Sequence, residues 1–251
     1  MKIYLKYIMR KEVAILIITH YPTLNKYQKI SLIQCLKIFG NKYPIYIICP
    51  FGMNKDEYIS YSNKLIFHEV KASNLESYHA FNHFKINPLL YLKYLKYKFV
   101  LFYELDAFVF EDQLEYWISK GYSLIGAPWF EKYYLADENS RIIGQGNGGF
   151  SLRNTLQCFI GTFFSYLLRS PKTKKLKIQE DIYLTNHILK YFPGARFPEI
   201  EESLRFAIDS NPEKAFKMNK NRIPFGIHAW YKNDRHLGFW KDKLKSFDFE
   251  L

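Results

Sequence analysis

The sequence has no apolar run that could cross a membrane as a helix. A helical span needs about 20 consecutive apolar residues, and the longest candidates, residues 13–18 and 158–168, are much shorter. The lysines of residues 1–10 precede an apolar run that ends at Thr19 without a small-residue cleavage site. We therefore expect neither a membrane span nor a signal peptide.

Cysteine is scarce as well. Cys35, Cys49 and Cys158 are an odd number, have no CxxC spacing and lie in apolar contexts. This excludes a disulfide framework and gives no zinc-site pattern. We predict a cytoplasmic chain, since reduced thiols are typical of that compartment.

Acidic residues are outnumbered, with 24 Asp and Glu against 36 Lys and Arg, a formal net charge of +12. Such a charge suits anionic partners: nucleic acid, an acidic membrane surface or phosphate-bearing substrates. The lysines are spread through the chain, however, and Ile, Tyr, Phe and Asn are also abundant, as in proteins from AT-rich genomes. Nucleic-acid binding is therefore disfavoured, although a non-catalytic basic module that binds nucleic acid or anionic membrane stays an alternative.

The first half of the chain alternates apolar runs with helix-like segments. Residues 13–19, 44–49 and 99–103 read as strands buried on both faces, as in a parallel sheet, and residues 65–70 as a further short strand. Residues 26–39 and 75–97 have helical spacing, and Pro88 marks a new helix start or a kink in the second. This order predicts an α/β fold with a mostly parallel central sheet flanked by helices.

The second half is less regular. Without an internal repeat or a convincing linker, residues 1–251 read as a single domain, a length that can bury a full core. The segments that we predict there are a helix at 113–119, a strand at 123–126, a glycine-rich turn, a helix at 156–168 and a basic loop at 172–177.

A pair of carboxylates gives the strongest site prediction. Glu104 and Asp106 directly follow the apolar run FVLFY. Strand side chains alternate, so residues two apart share a face while Leu105 turns into the core. Two carboxylates at the carboxyl edge of a sheet suit a hard divalent cation that bridges two phosphates. The competing interpretation is two solvated acids at a strand end.

The glycines of residues 144–149 formally match GxGxxG. The segment is mid-chain, follows no clear strand and lacks an acidic residue about 20 positions on, so a dinucleotide site is not predicted. It has no following Gly-Lys-Ser/Thr either, which excludes a P-loop. The remaining interpretations are a backbone that approaches a ligand closely and a merely flexible turn.

Two later segments offer catalytic groups. Glu180 and Asp181 open an apolar helix, where they either complement the helix dipole or provide a general base, for which Asp181 is our candidate. In the segment PFGIHAW, His228 could complete a metal site and Trp230 could stack on a sugar. A lone buried histidine is the alternative.

Taken in order, five segments resemble a bacterial family of predicted GT-A-type glycosyltransferases of unassigned function (DUF5672-like). The resemblance runs from about residue 13 to residue 240, and the order of its motifs is similar to that of inverting β-galactosyltransferases. It implies a nucleotide-binding half at about 11–110 and an acceptor and catalytic half at about 111–240. The segments are LFYELDAFVF (101–110), GAPWF (126–130), GNGGFSLR (146–153), QEDIYL (179–184) and PFGIHAW (224–230).

The resemblance also implies residue roles. Glu104, Asp106 and His228 would be metal ligands, and Asp181, with Glu180 beside it, would be catalytic. Glu104 stands where a standard DxD motif has aspartate, and Phe81 replaces the tyrosine of the family's Tyr-Asn pair. The donor site would also include Thr19, His20, Tyr21 and Asn82, and the acceptor site Trp129, Gly148, Gly149, Phe150 and Trp230.

The function that this implies is transfer of a hexose-type sugar from a nucleotide-diphosphate donor to an acceptor hydroxyl. Inversion at the anomeric carbon, assistance by Mn²⁺ or Mg²⁺, and a context in bacterial surface polysaccharide or lipopolysaccharide synthesis are expected. The acceptor would be a glycan or a lipid-linked sugar, and the Tyr/Lys-rich residues 91–98 could contact anionic headgroups at the inner leaflet. A sugar-phosphate nucleotidyltransferase is the enzymatic alternative, although its N-terminal glycine-rich loop is missing.

Overall fold

The computed structural model describes residues 11–168 and 179–247. Its centre is a six-stranded sheet in the order β3-β2-β1-β4-β9-β6. Strands β1, β2, β3 and β4 run parallel, whereas β9 lies antiparallel between β4 and β6. The strands are β1 (Lys11–Ile18), β2 (Ile45–Pro50), β3 (Ile66–Val70), β4 (Tyr97–Tyr103), β6 (Leu124–Gly126) and β9 (Phe150–Asn154). This confirms the predicted α/β fold with a mostly parallel sheet.

Both faces of the sheet are covered. In β1, Val13, Ile15 and Ile17 pack into one core cluster while Ala14 and Leu16 pack into another. A strand that is buried on both sides must be apolar at every position, which explains the continuous runs in the sequence. The covering helices are α1 (Lys26–Phe39), α2 (Asp56–Tyr61), α3 (Tyr78–Lys85), α4 (Pro88–Lys93), α5 (Leu114–Ser119) and α6 (Thr155–Leu168).

Shorter elements complete the second half. A three-stranded sheet has the order β10-β11-β5, and a two-stranded sheet joins β7 to β8. These strands are β5 (Phe108–Val109), β7 (Pro128–Phe130), β8 (Ile142–Gln145), β10 (Ala207–Ile208) and β11 (Gly226–Ile227). The helices are α7 (Glu180–Tyr183), α8 (Ile200–Phe206), α9 (Pro212–Met218) and α10 (Asp234–Leu244).

The segment expected to form one long helix at 75–97 is divided. Ser77 caps α3, Asn87 caps α4 with Pro88 as its first residue, and Tyr97 already belongs to β4. Pro88 therefore begins a new helix, because proline fits the first helical position, where no backbone donor is needed. The glycine-rich turn also differs from expectation, since it follows β8 directly. The predicted basic loop at 172–177 lies outside the described residues.

Three further expectations concern the tyrosines of residues 91–98, the cysteines and a membrane span. Tyr91, Tyr94 and Tyr97 are each only 1% exposed, so the tyrosine rings of residues 91–98 cannot insert among lipid headgroups. The three cysteines are free and buried. Within the described part of the chain, no helix is long and apolar enough to cross a membrane.

Candidate active site

A cleft of about 550 Å³ lies beyond the carboxyl ends of β1 and β4. This is where ligands bind in open α/β sheets. The cleft contains the residues predicted for the donor site and for the metal site, together with Asp181 and the turn glycines. Those lining residues are Thr19, His20, Tyr21, Asn82, Glu104, Asp106, Gly148, Gly149, Glu180, Asp181 and His228.

The two predicted acids meet in the cleft, but a turn places them there, not a strand. Strand β4 ends at Tyr103, and the backbone N–H of Ala107 donates to the Glu104 carbonyl at 2.8 Å. The Leu105 side chain is buried in the core, as expected. The turn thus directs both Glu104 and Asp106 into the cleft.

His228 approaches this pair through the small sheet. Ile227 of β11 pairs with Phe108 of β5, which places His228 beside the turn that carries Asp106. Its Nε2 atom lies 3.0 Å from Asp106 Oδ1 and 3.6 Å from Glu104 Oε2. Neither contact has hydrogen-bond geometry, so among the described residues this buried nitrogen has no hydrogen-bond partner.

These three side chains fit a divalent cation. One ligand atom from each of Glu104, Asp106 and His228 lies within 4.8 Å of the others. Carboxylate oxygens with one imidazole nitrogen are a donor set that Mn²⁺ accepts well and Mg²⁺ accepts less readily. A buried nitrogen that faces two carboxylates without a hydrogen bond is the feature expected of a metal ligand.

Neighbouring charges shift the pKa values of Glu104 and His228. Burial opposes ionisation of Glu104, but Lys85 and His228 outweigh it and hold the pKa of that carboxyl well below its usual range. Burial likewise lowers the pKa of His228, yet Asp106, Asp209 and Glu104 raise it well above its ordinary value. The carboxylates around His228 thus favour its protonated form against the effect of burial.

A buried ion network supports the same cleft from beneath. Lys85 Nζ lies 2.8 Å from Glu104 Oε1 and 2.6 Å from Glu180 Oε1. Arg153 donates to both oxygens of Glu180 at 3.0 Å. Glu180 is thereby held by two cations in a site that is closed to water, an arrangement that fixes position and leaves little freedom for proton transfer.

Asp181 lies next in the chain but has a different environment. Its Oδ2 accepts from Trp129 Nε1 at 3.2 Å and from the Gly148 N–H at 3.1 Å. Within the described part of the chain, Oδ1 accepts only from the Ile182 N–H, at 2.8 Å. Burial, and after it the charge of Glu180, raise the pKa of Asp181 to about 6. A carboxylate with a spare lone pair and this pKa suits a general base near neutral pH.

The glycines of the turn allow charged side chains to approach. A Cβ at Gly149 would lie 2.0 Å from His228 Nε2, and one at Gly148 would lie 2.0 Å from Glu180 Oε1. Only a residue without a side chain fits at such distances. The glycines therefore allow protein side chains to come close to this backbone, while the close approach to a ligand stays a prediction.

The donor-side residues already have internal partners. Thr19 Oγ1 contacts Tyr58 Oη at 3.2 Å and accepts from the Tyr21 N–H at 3.2 Å. Asn82 accepts from the Glu180 N–H at 2.8 Å and donates to the Tyr78 carbonyl at 2.7 Å. Asn82 thus positions the helix that carries Asp181, although it also lines the cleft.

Two predicted acceptor residues are placed in the core instead. The Trp230 indole is fully buried and donates to Ser31 Oγ at 3.1 Å. Phe150 is also fully buried, between Phe206 and Phe225. Neither lines the cleft, so we correct both assignments: these rings cannot stack on a sugar there. Trp129, a third predicted acceptor residue, is also buried and does not line the cleft, and its indole donates to Asp181.

The sequence analysis missed three buried charges. Lys85, Arg153 and Asp209 complete the network, and Asp209 Oδ1 lies 2.8 Å from His228 Nδ1. Asp209 follows the short apolar strand β10, which is the same pattern of apolar run and acid that pointed to Glu104. That signal was present in the sequence; for Lys85, on a helix among aromatic residues, we find none.

Residues 64–228 match a family model described as "Protein of unknown function (DUF5672)". No curated protein matches the chain. Among solved structures, the fold is similar to that of a glycosyltransferase involved in glycosylation of the major capsid of PBCV-1, with a TM-score of 0.53 and 11% identity over 86% of this chain and 92% of that one.

Two further structures show the same fold. Mouse xyloside xylosyltransferase 1 has a TM-score of 0.54 and 8% identity over 86% of this chain and 97% of that one. Galactosyltransferase LgtC, solved with donor and acceptor sugar analogues, has a TM-score of 0.52 and 12% identity over 86% of both chains. At such identities the likeness establishes the fold, which is that of GT-A glycosyltransferases.

Proposed function

The chain belongs to the DUF5672 family, and from that premise and its GT-A fold we propose that it is a glycosyltransferase. The reaction is transfer of a hexose-type sugar from a nucleotide-diphosphate donor to an acceptor hydroxyl, with inversion at the anomeric carbon. One observation carries the proposal: a Glu-Asp-His cation site and an Asp181 carboxylate of raised pKa share one cleft at the carboxyl edge of the sheet.

Glu104, Asp106 and His228 would hold Mn²⁺ or Mg²⁺. When bound, the cation would supply a Lewis acid for the diphosphate leaving group. The cleft itself needs such a charge, because its carboxylates outnumber its fixed cations and would repel a diphosphate. The carboxyl groups of the cleft and its base are Glu76, Glu104, Asp106, Glu180, Asp181 and Asp209, and the fixed cations are Lys85, Arg153 and Lys232, beside the titratable His228.

Asp181 acts as the general base. Trp129 and the Gly148 N–H fix Oδ2, so Oδ1 keeps a lone pair for the proton of the acceptor hydroxyl. The oxygen then attacks the anomeric carbon on the face opposite the leaving diphosphate, which gives inversion. Glu180 has a positioning role, because Arg153 and Lys85 hold it in ion pairs.

Thr19, His20 and Tyr21 lie at the end of β1 and would line the nucleoside side of the cleft. Asn82 would contribute by holding Glu180 and its neighbour Asp181 in place. Gly148 and Gly149 would form the floor on the acceptor side. The acceptor would be a glycan or a lipid-linked sugar in bacterial surface-polysaccharide synthesis. This chain would act on it as a cytoplasmic enzyme.

The proposal is tested by release of nucleoside diphosphate from a panel of nucleotide-sugars, with Mn²⁺ and with simple glycosides as acceptors. Turnover of one donor by the wild type, and its loss in Asp181→Asn, would support a transferase. Salt-sensitive binding of nucleic acid that is indifferent to Asp106→Asn would instead identify a non-catalytic basic module.

A further inference from the structure

Asp209 is a buried acid without a part in the reaction described above. It is 3% exposed and follows β10, where a carboxylate would be costly without partners. Its Oδ1 atom lies 2.8 Å from His228 Nδ1. The hydroxyl of Tyr134 lies 3.5 Å from the same oxygen. Asp209 therefore contacts the imidazole on the side away from Glu104 and Asp106.

The backbone fixes this contact in register. Strands β10 and β11 are parallel, with Ala207 opposite Gly226 and Ile208 opposite Ile227. The next residue along each strand is Asp209 and His228, and the His228 N–H donates to the Ile208 carbonyl at 3.0 Å. Because β11 also pairs with β5, His228 lies between Asp209 on one side and, on the other, the turn before β5 that carries Asp106.

We propose that Asp209 is a positioning residue that holds His228 as the Nδ1–H tautomer, with Nε2 directed at the cation held by Glu104 and Asp106. This rests on the cation site of the proposed function. An imidazole that ligates a metal through one nitrogen must keep its proton on the other, and a carboxylate acceptor fixes both the proton and the ring plane. Loss of such a carboxylate typically weakens metal affinity by about 10-fold to 100-fold.

The test measures Mn²⁺ affinity by the electron paramagnetic resonance signal of the free ion, on the full-length protein. Asp209→Ala should raise the Mn²⁺ dissociation constant by about 10-fold to 100-fold. Asp209→Asn should raise it less, because the amide oxygen can still accept from Nδ1–H. Equal losses in the two variants would overturn the orienting role.

A double-mutant cycle separates action through His228 from general charge loss. In the His228→Ala background, Asp209→Ala should change the Mn²⁺ dissociation constant by less than about twofold, because the group it acts through is gone. An unchanged loss in that background would overturn the inference. Asp242→Ala removes an equal charge from a side chain 77% exposed on α10 and serves as the matched control.

A spectroscopic measurement guards against a variant that is merely less stable. In Zn²⁺-loaded protein with ¹⁵N-labelled histidine, the His228 signal, identified by its absence in His228→Ala, should show Nδ1–H in the wild type and lose that signature in Asp209→Ala. An unchanged tautomer would contradict the proposal.

The two proposals can fail separately. Mn²⁺ binding that needs His228 but ignores Asp209 would leave the transferase site intact and refute the role of Asp209. Absence of Mn²⁺ binding by the wild type, with and without nucleoside diphosphate, would refute both the cation site and this inference.

Discussion

At the scale of single residues, adjacent carboxyls in α7 have opposite environments. Arg153 and Lys85 form ion pairs with Glu180 and lower its pKa against the effect of burial, whereas burial and the Glu180 charge raise the pKa of Asp181. Environments that separate the pKa values of neighbouring acids are typical of sites that divide structural and catalytic roles between them.

The raised pKa of Asp181 predicts a pH dependence. The carboxylate form, which can accept a proton, predominates only above about pH 6. We expect kcat/KM to fall about tenfold per pH unit below that value, and Asp181→Asn to lower kcat by about 10²-fold to 10⁴-fold while nucleotide binding is kept. A flat profile between pH 5 and 7 in steady-state assays would refute Asp181 as the base.

Gly149 gives a second prediction at this scale. A methyl group there would meet His228 Nε2 at 2.0 Å, so Gly149→Ala must displace the imidazole and should weaken Mn²⁺ binding by at least about tenfold. Gly238→Ala, in α10, is the matched control because no described atom other than those of its chain neighbours and its own helix backbone lies within 4 Å of the added carbon. Equal Mn²⁺ affinity of the two variants by calorimetry would show that His228 is not a ligand.

At the scale of elements, the Lys85, Glu180 and Arg153 network joins α3, α7 and β9. Arg153 has a side chain 0% exposed and pairs with Glu180 through two hydrogen bonds. Removing one partner of a buried pair leaves the other charge uncompensated. The network therefore sets the position of α7, and with it Asp181, relative to the sheet.

The free energy of unfolding that is lost when this network is broken can be compared with the loss at an exposed Arg–Glu pair. Arg153→Ala should lower the free energy of unfolding by about 3–5 kcal/mol. Arg141→Ala removes a two-pronged contact with Glu131, but its side chain is 83% exposed, so we expect a loss below about 1 kcal/mol. Urea unfolding of both variants tests this, and equal losses would contradict it.

Helices and strands could be predicted from the sequence where the spacing of apolar residues matches the face that is buried in the structure. Helix α1 spans the residues predicted from its apolar spacing and from Gly40 as its stop, and a capping box of Asn25 and Gln28 fixes its first turn. Trp230 was misplaced because its neighbour His228 suggested a shared cleft. Ala229 between them adopts φ 52°, and the chain turns there, sending the indole into the core. A backbone conformation of this kind leaves no pattern in sequence.

At the scale of the whole molecule, the cleft combines residues that are distant in the chain. Glu104, Asp181 and His228 were found because each lies in a segment with its own signal. Their partners were not, since Lys85 and Glu104 are 19 residues apart and Arg153 and Glu180 are 27 apart. Which side chains pair across such separations depends on the order of the strands in the sheet. The periodicity of the sequence predicts the class of the fold but not that order.

The charge balance also differs between the whole chain and the cleft. The protein carries a formal net charge of +12, yet the ionisable groups of the cleft are mostly acids. A nucleic-acid module would place its cations where the ligand binds. An acidic cleft in a basic protein fits a site in which a cation comes between the acids and an anionic donor.

The most direct test is calorimetric titration with a panel of nucleoside diphosphates and nucleotide-sugars, with and without Mn²⁺, on wild type and Asp106→Asn. The account predicts binding of one nucleotide that requires Mn²⁺ and is lost in Asp106→Asn, while Asp242→Asn binds as the wild type does. Absence of binding across the panel with Mn²⁺ present, by a protein of verified fold, would contradict it.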